Sequence, residues 1–374
     1  MVSFFIFIST IALVPHYVIL FALIVLVYKN YKSILYNKFT LKPNLNLIII
    51  SLIVLISIIN KLLNPIQLNG IMSVFPYTIL MFTSYIIAKY ISKKDIKILV
   101  IFIAFEVVVG MLEYILKVNS VFYWEDFFTK YNNDNLMYFS KVFGLSVNSS
   151  VLAVKITIAI LLIEYYKLFE KKYRYIIRII LFIGLYITFQ RTSIIVVLLF
   201  YFMQIFKLII NEINPINFTM SINKFITRSI LAFVVILLFV LIIVNKQKIL
   251  NQFSKGKGKI ELSGREEIWP KYISFIKNNI LFGNYSNKYY VRYRGNDEGA
   301  HAHNSFLEVF STHGIFIFIL YLLIIIININ RNNYLFIGSL VVLSLFQYAL
   351  FWGISLVDIV LYIFAINIPK YNIN

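Results

Sequence analysis

The chain has 374 residues, of which 60% are hydrophobic and only 14% charged, with 35 Phe and 27 Tyr. That composition excludes an ordinary soluble domain. The formal net charge of +19 would suit a nucleic-acid binder, but the Lys and Arg lie in short segments between apolar runs, so no basic nucleic-acid-binding domain is expected. The lack of Cys excludes disulfides, thiolate nucleophiles and Cys-ligated metals, and leaves the compartment open.

A hydrocarbon core about 30 Å thick is crossed by about 20 helical residues. Apolar runs near 3–28, 45–63, 73–90, 98–116, 146–166, 175–190, 193–210, 229–245, 305–328, 333–351 and 354–368 give about eleven transmembrane spans. Lipid offers no hydrogen-bond partners, so these runs are expected to be helices. The fold class is therefore an all-α polytopic membrane protein, one membrane domain over 1–374, with a large extracytoplasmic loop at 246–304. The first run has neither a basic stretch ahead of it nor a small-residue cleavage site, and reads as a retained span. No internal repeat is apparent.

Orientation follows from the basic residues. Lys29, Lys32, Lys38 and Lys42 follow the first span, Lys89, Lys93, Lys94 and Lys97 the third, and Lys167, Lys171, Lys172 and Arg174 the fifth. These alternate segments are expected on the cytoplasmic side. Counting onward places 207–228 and the C-terminal tail inside. It places 117–145, the turn at Gln190-Arg191 and the loop 246–304 outside. That loop is itself basic, against the positive-inside bias.

Charges within the spans are expensive and face partners or cavities. Glu106 and Glu113 in the fourth, Lys155 in the fifth and Asp358 in the last fit a buried pair linking helices better than a catalytic or proton-relay role. Arg191, in Phe189-Gln190-Arg191-Thr192-Ser193, lies at an outer hairpin turn, where a lone Arg commonly snorkels to headgroups. Paired with Arg265 on the same side it would form a clamp for a phosphate or diphosphate, because guanidinium forks bind such oxygens bidentately.

Within the outer loop, Ser263-Gly264-Arg265-Glu266 has capping-box spacing. Ile268, Trp269, Tyr272, Ile273 and Ile276 follow at helical period, which predicts an amphipathic surface helix kinked or shifted by Pro270. Asn278 to Gly283 reads as a turn, and Tyr285 to Ala300 as a Tyr-rich excursion without clear periodicity. His303, Asn304 and Ser305 stand where the chain re-enters the membrane. Asn304 or Ser305 can cap the helix, whose positive dipole end favours an anion. The simpler alternative is a plain cap with His303 solvated beside it. Glu308, about one turn on, is expected to orient the His303 imidazole or join it as a base.

These residues together resemble the O-antigen ligase and polymerase superfamily of bacterial envelope glycan enzymes. The resemblance rests on many spans, one large late outer loop, an Arg at an outer hairpin turn (Arg191), a second Arg ahead of a Trp (Arg265, Trp269), and His303-Asn304 followed by nine residues and Gly314. The family pattern's second Gly is Ile317 here, and its glycine-rich turn is only partly kept as Leu281-Phe282-Gly283-Asn284. The resemblance implies a metal-independent GT-C-type glycosyltransferase without a cofactor. Its donor would be an undecaprenyl-diphosphate-linked oligosaccharide, and it would act at the outer face of the bacterial cytoplasmic membrane. Arg191 and Arg265 would neutralise the diphosphate, and His303 would orient or deprotonate the acceptor hydroxyl, with Asn304, Glu308 and Trp269 in support. Tyr285, Tyr289, Tyr290 and Tyr293 could stack on sugar rings.

A polymerase of O-antigen, capsule or exopolysaccharide repeat units is favoured, working beside flippase and chain-length regulator proteins. A ligase or O-oligosaccharyltransferase of the same superfamily is the alternative. A lipid-linked oligosaccharide flippase, working through Glu106, Lys155 and Asp358, is the reading from another class.

Overall fold

Backbone groups in an apolar medium must pair among themselves, and the apolar runs accordingly resolve into helices. The computed structural model describes residues 1–36, 44–64, 77–122, 140–212, 264–293 and 296–366. The helices, in chain order, begin with α1 (Val2–Ile8), α2 (Ile19–Tyr36), α3 (Leu45–Leu62), α4 (Met81–Tyr90) and α5 (Lys93–Leu116). Next come α6 (Ser149–Tyr166), α7 (Lys171–Ile187), α8 (Arg191–Glu212) and α9 (Arg265–Asn278). A short hairpin, β1 (Val291–Tyr293) and β2 (Asn296–Ala300), precedes α10 (Ser305–His313), α11 (Ile315–Asn328), α12 (Tyr334–Phe346) and α13 (Leu356–Ile366). Among the described residues, α3, α5 and α6 are long and apolar enough to cross a bilayer alone, and shorter apolar helices including α11, α12 and α13 pack with them. The expected span at 229–245 and the Lys-rich run at 246–259 lie outside the described residues.

Two expected spans are interrupted, each for a local reason. Within 3–28, the Ser9 and Thr10 hydroxyls turn back onto Ile6 O and Phe7 O at 2.7 and 2.6 Å, and Pro15 cannot continue the helix. The run is therefore a pair, α1 packed against α2, and not one crossing. α1 lies along α5, with Ser3 Oγ on Asp95 O at 2.7 Å and Ala12 N on Leu145 O at 2.8 Å.

The run 305–328 breaks at Gly314, whose φ is +79°. Any side chain there would strike the Leu281 carbonyl, and a Cβ on Gly283 would lie 2.6 Å from Gly314 N. Only a pair of glycines lets the 279–287 turn lie against the α10–α11 junction, where Ile315 N bonds Ile280 O at 2.9 Å and Asn284 N bonds Ser311 O at 2.7 Å. Ile317, which replaces the family pattern's second glycine, is fully buried in the main core. Close approach is thus supplied by Gly283 and Gly314.

Hydrogen bonds sort the helix ends into two levels. At one level Asn46 pairs with Asn328 at 3.0 and 2.7 Å, while Asn333 and Tyr165 both bond Phe364 O, at 2.9 and 3.2 Å. This is the end that carries Lys93, Lys94, Lys171 and Lys172. At the opposite level Asn60 bonds His313 O at 3.0 Å, Ser84 bonds Gly353 O at 2.7 Å and Arg265 bonds Phe346 O at 2.8 Å. The basic segments and the 264–304 region therefore occupy opposite ends of the bundle.

The charges inside the spans are used internally. Lys155 Nζ lies 2.8 Å from both Glu106 oxygens, Ser146 Oγ adds a bond of 2.7 Å, and the pair joins α6 to α5. Glu113 gathers the N–H groups of Val121, Phe143 and Gly144 at 2.8, 3.1 and 2.7 Å. Asp358 does the same for Phe351 and Trp352 at 2.6 and 3.0 Å, and accepts from Ser355 Oγ at 2.8 Å. The Glu113 and Asp358 carboxylates satisfy backbone donors that a connection would otherwise leave buried and unpaired.

Candidate functional site

The site begins with α9. Its N-cap is Gly264, at φ +84° and with no side-chain cap, and a Cβ there would lie 2.5 Å from the Tyr293 hydroxyl. Ser263, the expected capping residue, lies outside the described residues. Pro270 does not shift or break the helix, which runs through it from Arg265 to Asn278. The inward stripe is Ile268, Tyr272 and Ile276 at a spacing of four, while Ile273 remains 44% exposed and faces away.

This stripe packs on the segment expected to lack regular structure. Within it Val291–Tyr293 and Asn296–Ala300 instead pair as the antiparallel strands β1 and β2, Val291 with Ala300 and Tyr293 with Asn296. Ile268, Tyr272, Val291 and Ala302 make a small separate core, edged by Trp269, Tyr289, Tyr293 and Leu307.

That core fixes the backbone on both sides of His303. The Trp269 indole donates to Ala302 O at 2.7 Å, and Ala302 N donates to Glu308 Oε1 at 2.6 Å. Asn304 Oδ1 caps α10, accepting from Phe306 N and Leu307 N at 2.9 and 3.1 Å. Ser305 Oγ accepts from Ala349 N and Leu350 N at 3.0 and 3.1 Å, tying the helix start to the α12–α13 connection. Between these anchors His303 is held at φ +51°. A non-glycine residue in that region costs about 1–3 kcal/mol, and such strain persists only where the surroundings enforce it.

The His303 side chain is exposed at the surface of this platform. Its imidazole pKa is nevertheless lowered, first by desolvation from the walls around it and then by the Arg265 guanidinium and His301. Arg265 and His303 thus stand within Coulombic reach of each other. The third expected residue arrives from α8. Phe200 meets Phe336 at 5.1 Å between ring centroids, and Lys207 Nζ lies 5.0 Å from the Tyr334 ring, so α8 and α12 run antiparallel. In that register Arg191, at the start of α8, reaches the level of Phe346, whose carbonyl Arg265 engages.

Glu308, expected to support His303, acts on it electrostatically and also meets a second histidine. Glu308 is 1% exposed, and the imidazole against it is that of His301, with Nδ1 at 3.4 Å from Oε1. His301 stands between the rings of Tyr290 and Tyr348 at 4.9 and 5.8 Å. The Tyr272 hydroxyl donates to Tyr289 O at 2.7 Å and to Glu308 Oε1 at 3.2 Å. Burial, and then Glu308, push the Tyr272 phenol far above its ordinary value. Lys288 Nζ lies 4.0 Å from the Trp352 ring and 5.0 Å from that of Tyr77, its pKa lowered by burial and partly restored by Glu308. The signal for His301 was present as the first histidine of a His-x-His run, but nothing local told that it meets a carboxylate seven residues later.

Beside this cluster, α9 and β1 enclose an open groove of about 450 Å³, lined by Lys271, Phe275, Tyr289, Tyr290 and Arg292 among others. Of the tyrosines expected to meet sugar, Tyr289 already stacks on Phe275 at 3.8 Å and Tyr285 on Phe282 at 6.0 Å. Tyr290 borders the groove and remains 43% exposed.

Residues 176–322 match the family model described as O-antigen ligase. This part of the chain is similar to O-antigen ligases. It takes in α9, α10 and the Arg191, Arg265, Trp269, His303 and Glu308 positions, and supports the O-antigen ligase and polymerase superfamily for the chain. Comparison with curated proteins and with solved structures returns no match. In the matched region, the helix α9 and the segment leading into α10 carry the cationic and imidazole groups. The rest of the described bundle sets their level.

Proposed function

We propose that the protein is a polysaccharide repeat-unit polymerase of the O-antigen, capsule or exopolysaccharide type. It transfers glycan from an undecaprenyl-diphosphate donor to an acceptor sugar hydroxyl. The active site opens on the outer face of the bacterial cytoplasmic membrane, at the end of the bundle opposite the basic segments, and no metal takes part. The observation that supports this reading is that His303, within the family-matched region, is held at a left-handed backbone angle by the bonds of Trp269 and Glu308 to Ala302, within Coulombic reach of Arg265.

In this mechanism the acceptor hydroxyl attacks the anomeric carbon and lipid diphosphate departs. Negative charge grows on the leaving oxygens, where Arg265 and Arg191 stabilise it more in the transition state than in the ground state. His303 positions the acceptor. Flippase and chain-length regulator proteins would act before and beside it.

Transfer of finished glycan by a ligase uses the same residues, and the products separate the two. Substituting Arg265→Ala and His303→Ala separately should leave single repeat units on lipid in cells, read as glycan chain length on a gel. A ligase defect would instead leave long polymer stranded on its carrier. The flippase reading draws less support, because Glu106, Lys155 and Asp358 are each engaged in internal bonds.

A further inference from the structure

Glu308 has one oxygen in use and one without a partner. Oε1 accepts from Ala302 N and the Tyr272 hydroxyl, while Oε2 is buried with no hydrogen-bond partner among the described residues. Leaving a carboxylate oxygen buried and unpaired is costly, and a group able to become a cation beside it relieves that cost. Lys288, His301 and His303 all feel this carboxylate. Lys288 is held over the Trp352 ring at 4.0 Å, and His301 Nδ1 lies 3.4 Å from Oε1, on the same carboxylate as the unpartnered Oε2. Nδ1 is on the Glu308 side but makes no hydrogen bond in this resting geometry, and the opposite ring nitrogen, Nε2, is the one farther from the carboxylate. His301 keeps 33% of its side-chain surface exposed, between the Tyr290 and Tyr348 rings.

We propose that His301, backed by Glu308, is the general base that takes the acceptor hydroxyl's proton, with Tyr290 and Tyr348 forming the walls that seat the acceptor sugar. The assignment rests on the transfer reaction proposed above and divides its labour between two histidines. Burial, then Arg265 and His301, oppose a proton on His303 while Glu308 acts the other way, whereas His301 is the imidazole whose Nδ1 lies 3.4 Å from Glu308 Oε1. In the step, the hydroxyl oxygen bonds to the donor's anomeric carbon as that carbon's bond to the diphosphate oxygen breaks. The diphosphate leaves with the electron pair toward the arginines. The hydroxyl proton passes to His301 Nε2, Nδ1–H donates to Glu308, and the proton is later returned to water. Hydrogen bonds of this kind are often long before substrate binds and tighten in the reactive complex.

The test uses the full-length chain in lipid nanodiscs with a defined lipid-diphosphate-linked repeat unit as donor and acceptor. His301→Gly should lower kcat by about 100-fold or more, with KM within about threefold, and added imidazole should restore part of the rate. Glu308→Gln, which keeps an acceptor for Ala302 N, should lower kcat by about tenfold at unchanged KM and melting temperature. A folded His301→Gly variant that imidazole does not rescue overturns the assignment, as does Glu308→Gln turnover within about threefold of the parent. Should His301→Gly not fold, Glu308→Gln decides alone. If Arg265→Ala and His303→Ala lose turnover while these variants keep it, only this assignment fails. If all four keep it, the transfer reaction itself fails.

Discussion

His303 is held at φ +51° between Ala302, fastened through its carbonyl and its N–H, and Asn304, fastened as a helix cap. Trp269→Phe removes the indole donor and keeps the ring. It should cost about 0.5–1.5 kcal/mol of stability and lower turnover more than its melting temperature suggests, measured on the same preparation. Because burial, Arg265 and His301 lower the His303 pKa, the ring stays neutral at its ordinary titration point and protonates only as the pH falls further. Arg265→Gln removes one cause and should move the titration upward, which histidine NMR would register. Arg191→Ala and Arg265→Ala should each cut turnover by about 10²–10³ if they stabilise developing charge. Which residues matter was readable from type and spacing, since an Arg before a Trp and a His-Asn at a span boundary are local patterns. Which imidazole meets Glu308 was not. That depends on the left-handed turn at His303, a conformation the small core imposes.

At the scale of elements, the glycines at 283 and 314 decide how the loop seats on the bundle. Gly314→Ala would drive a methyl into the Leu281 carbonyl. We expect loss of activity together with a lower melting temperature, and a fully active, equally stable variant would contradict the interlock. The buried pair makes a separate prediction for the membrane region. Lys155→Met leaves Glu106 uncompensated and should cost about 3–5 kcal/mol, whereas the double change with Glu106→Gln should recover much of it, read by thermal denaturation in detergent. Hydrophobic length located most helices correctly, because burial of backbone in lipid leaves few alternatives. It misread 3–28 and 305–328, where Pro15 and Gly314 break helices that are apolar enough to continue. It also missed the β1–β2 hairpin, whose pairing is stabilised by packing against α9 and leaves no alternation in the sequence.

At the scale of the whole molecule, the helix ends separate into a basic level and a level bearing Arg265 and His303. The alternation of Lys-rich segments had called for that separation. Reagents that do not cross membranes should therefore label a cysteine placed at Tyr290 in intact cells and fail to label one at Lys172, which checks the orientation. A polar loop on a membrane bundle is not itself an enzyme; the transferase proposed here requires residues from α8, α9 and the segment before α10 to act at a single end. The decisive measurement is synthesis by the purified protein from a single defined lipid-diphosphate repeat unit. The parent should produce a ladder of lengthening glycan, and Arg265→Ala and His303→Ala should leave the repeat unit unextended. An undiminished ladder from both variants would contradict the account.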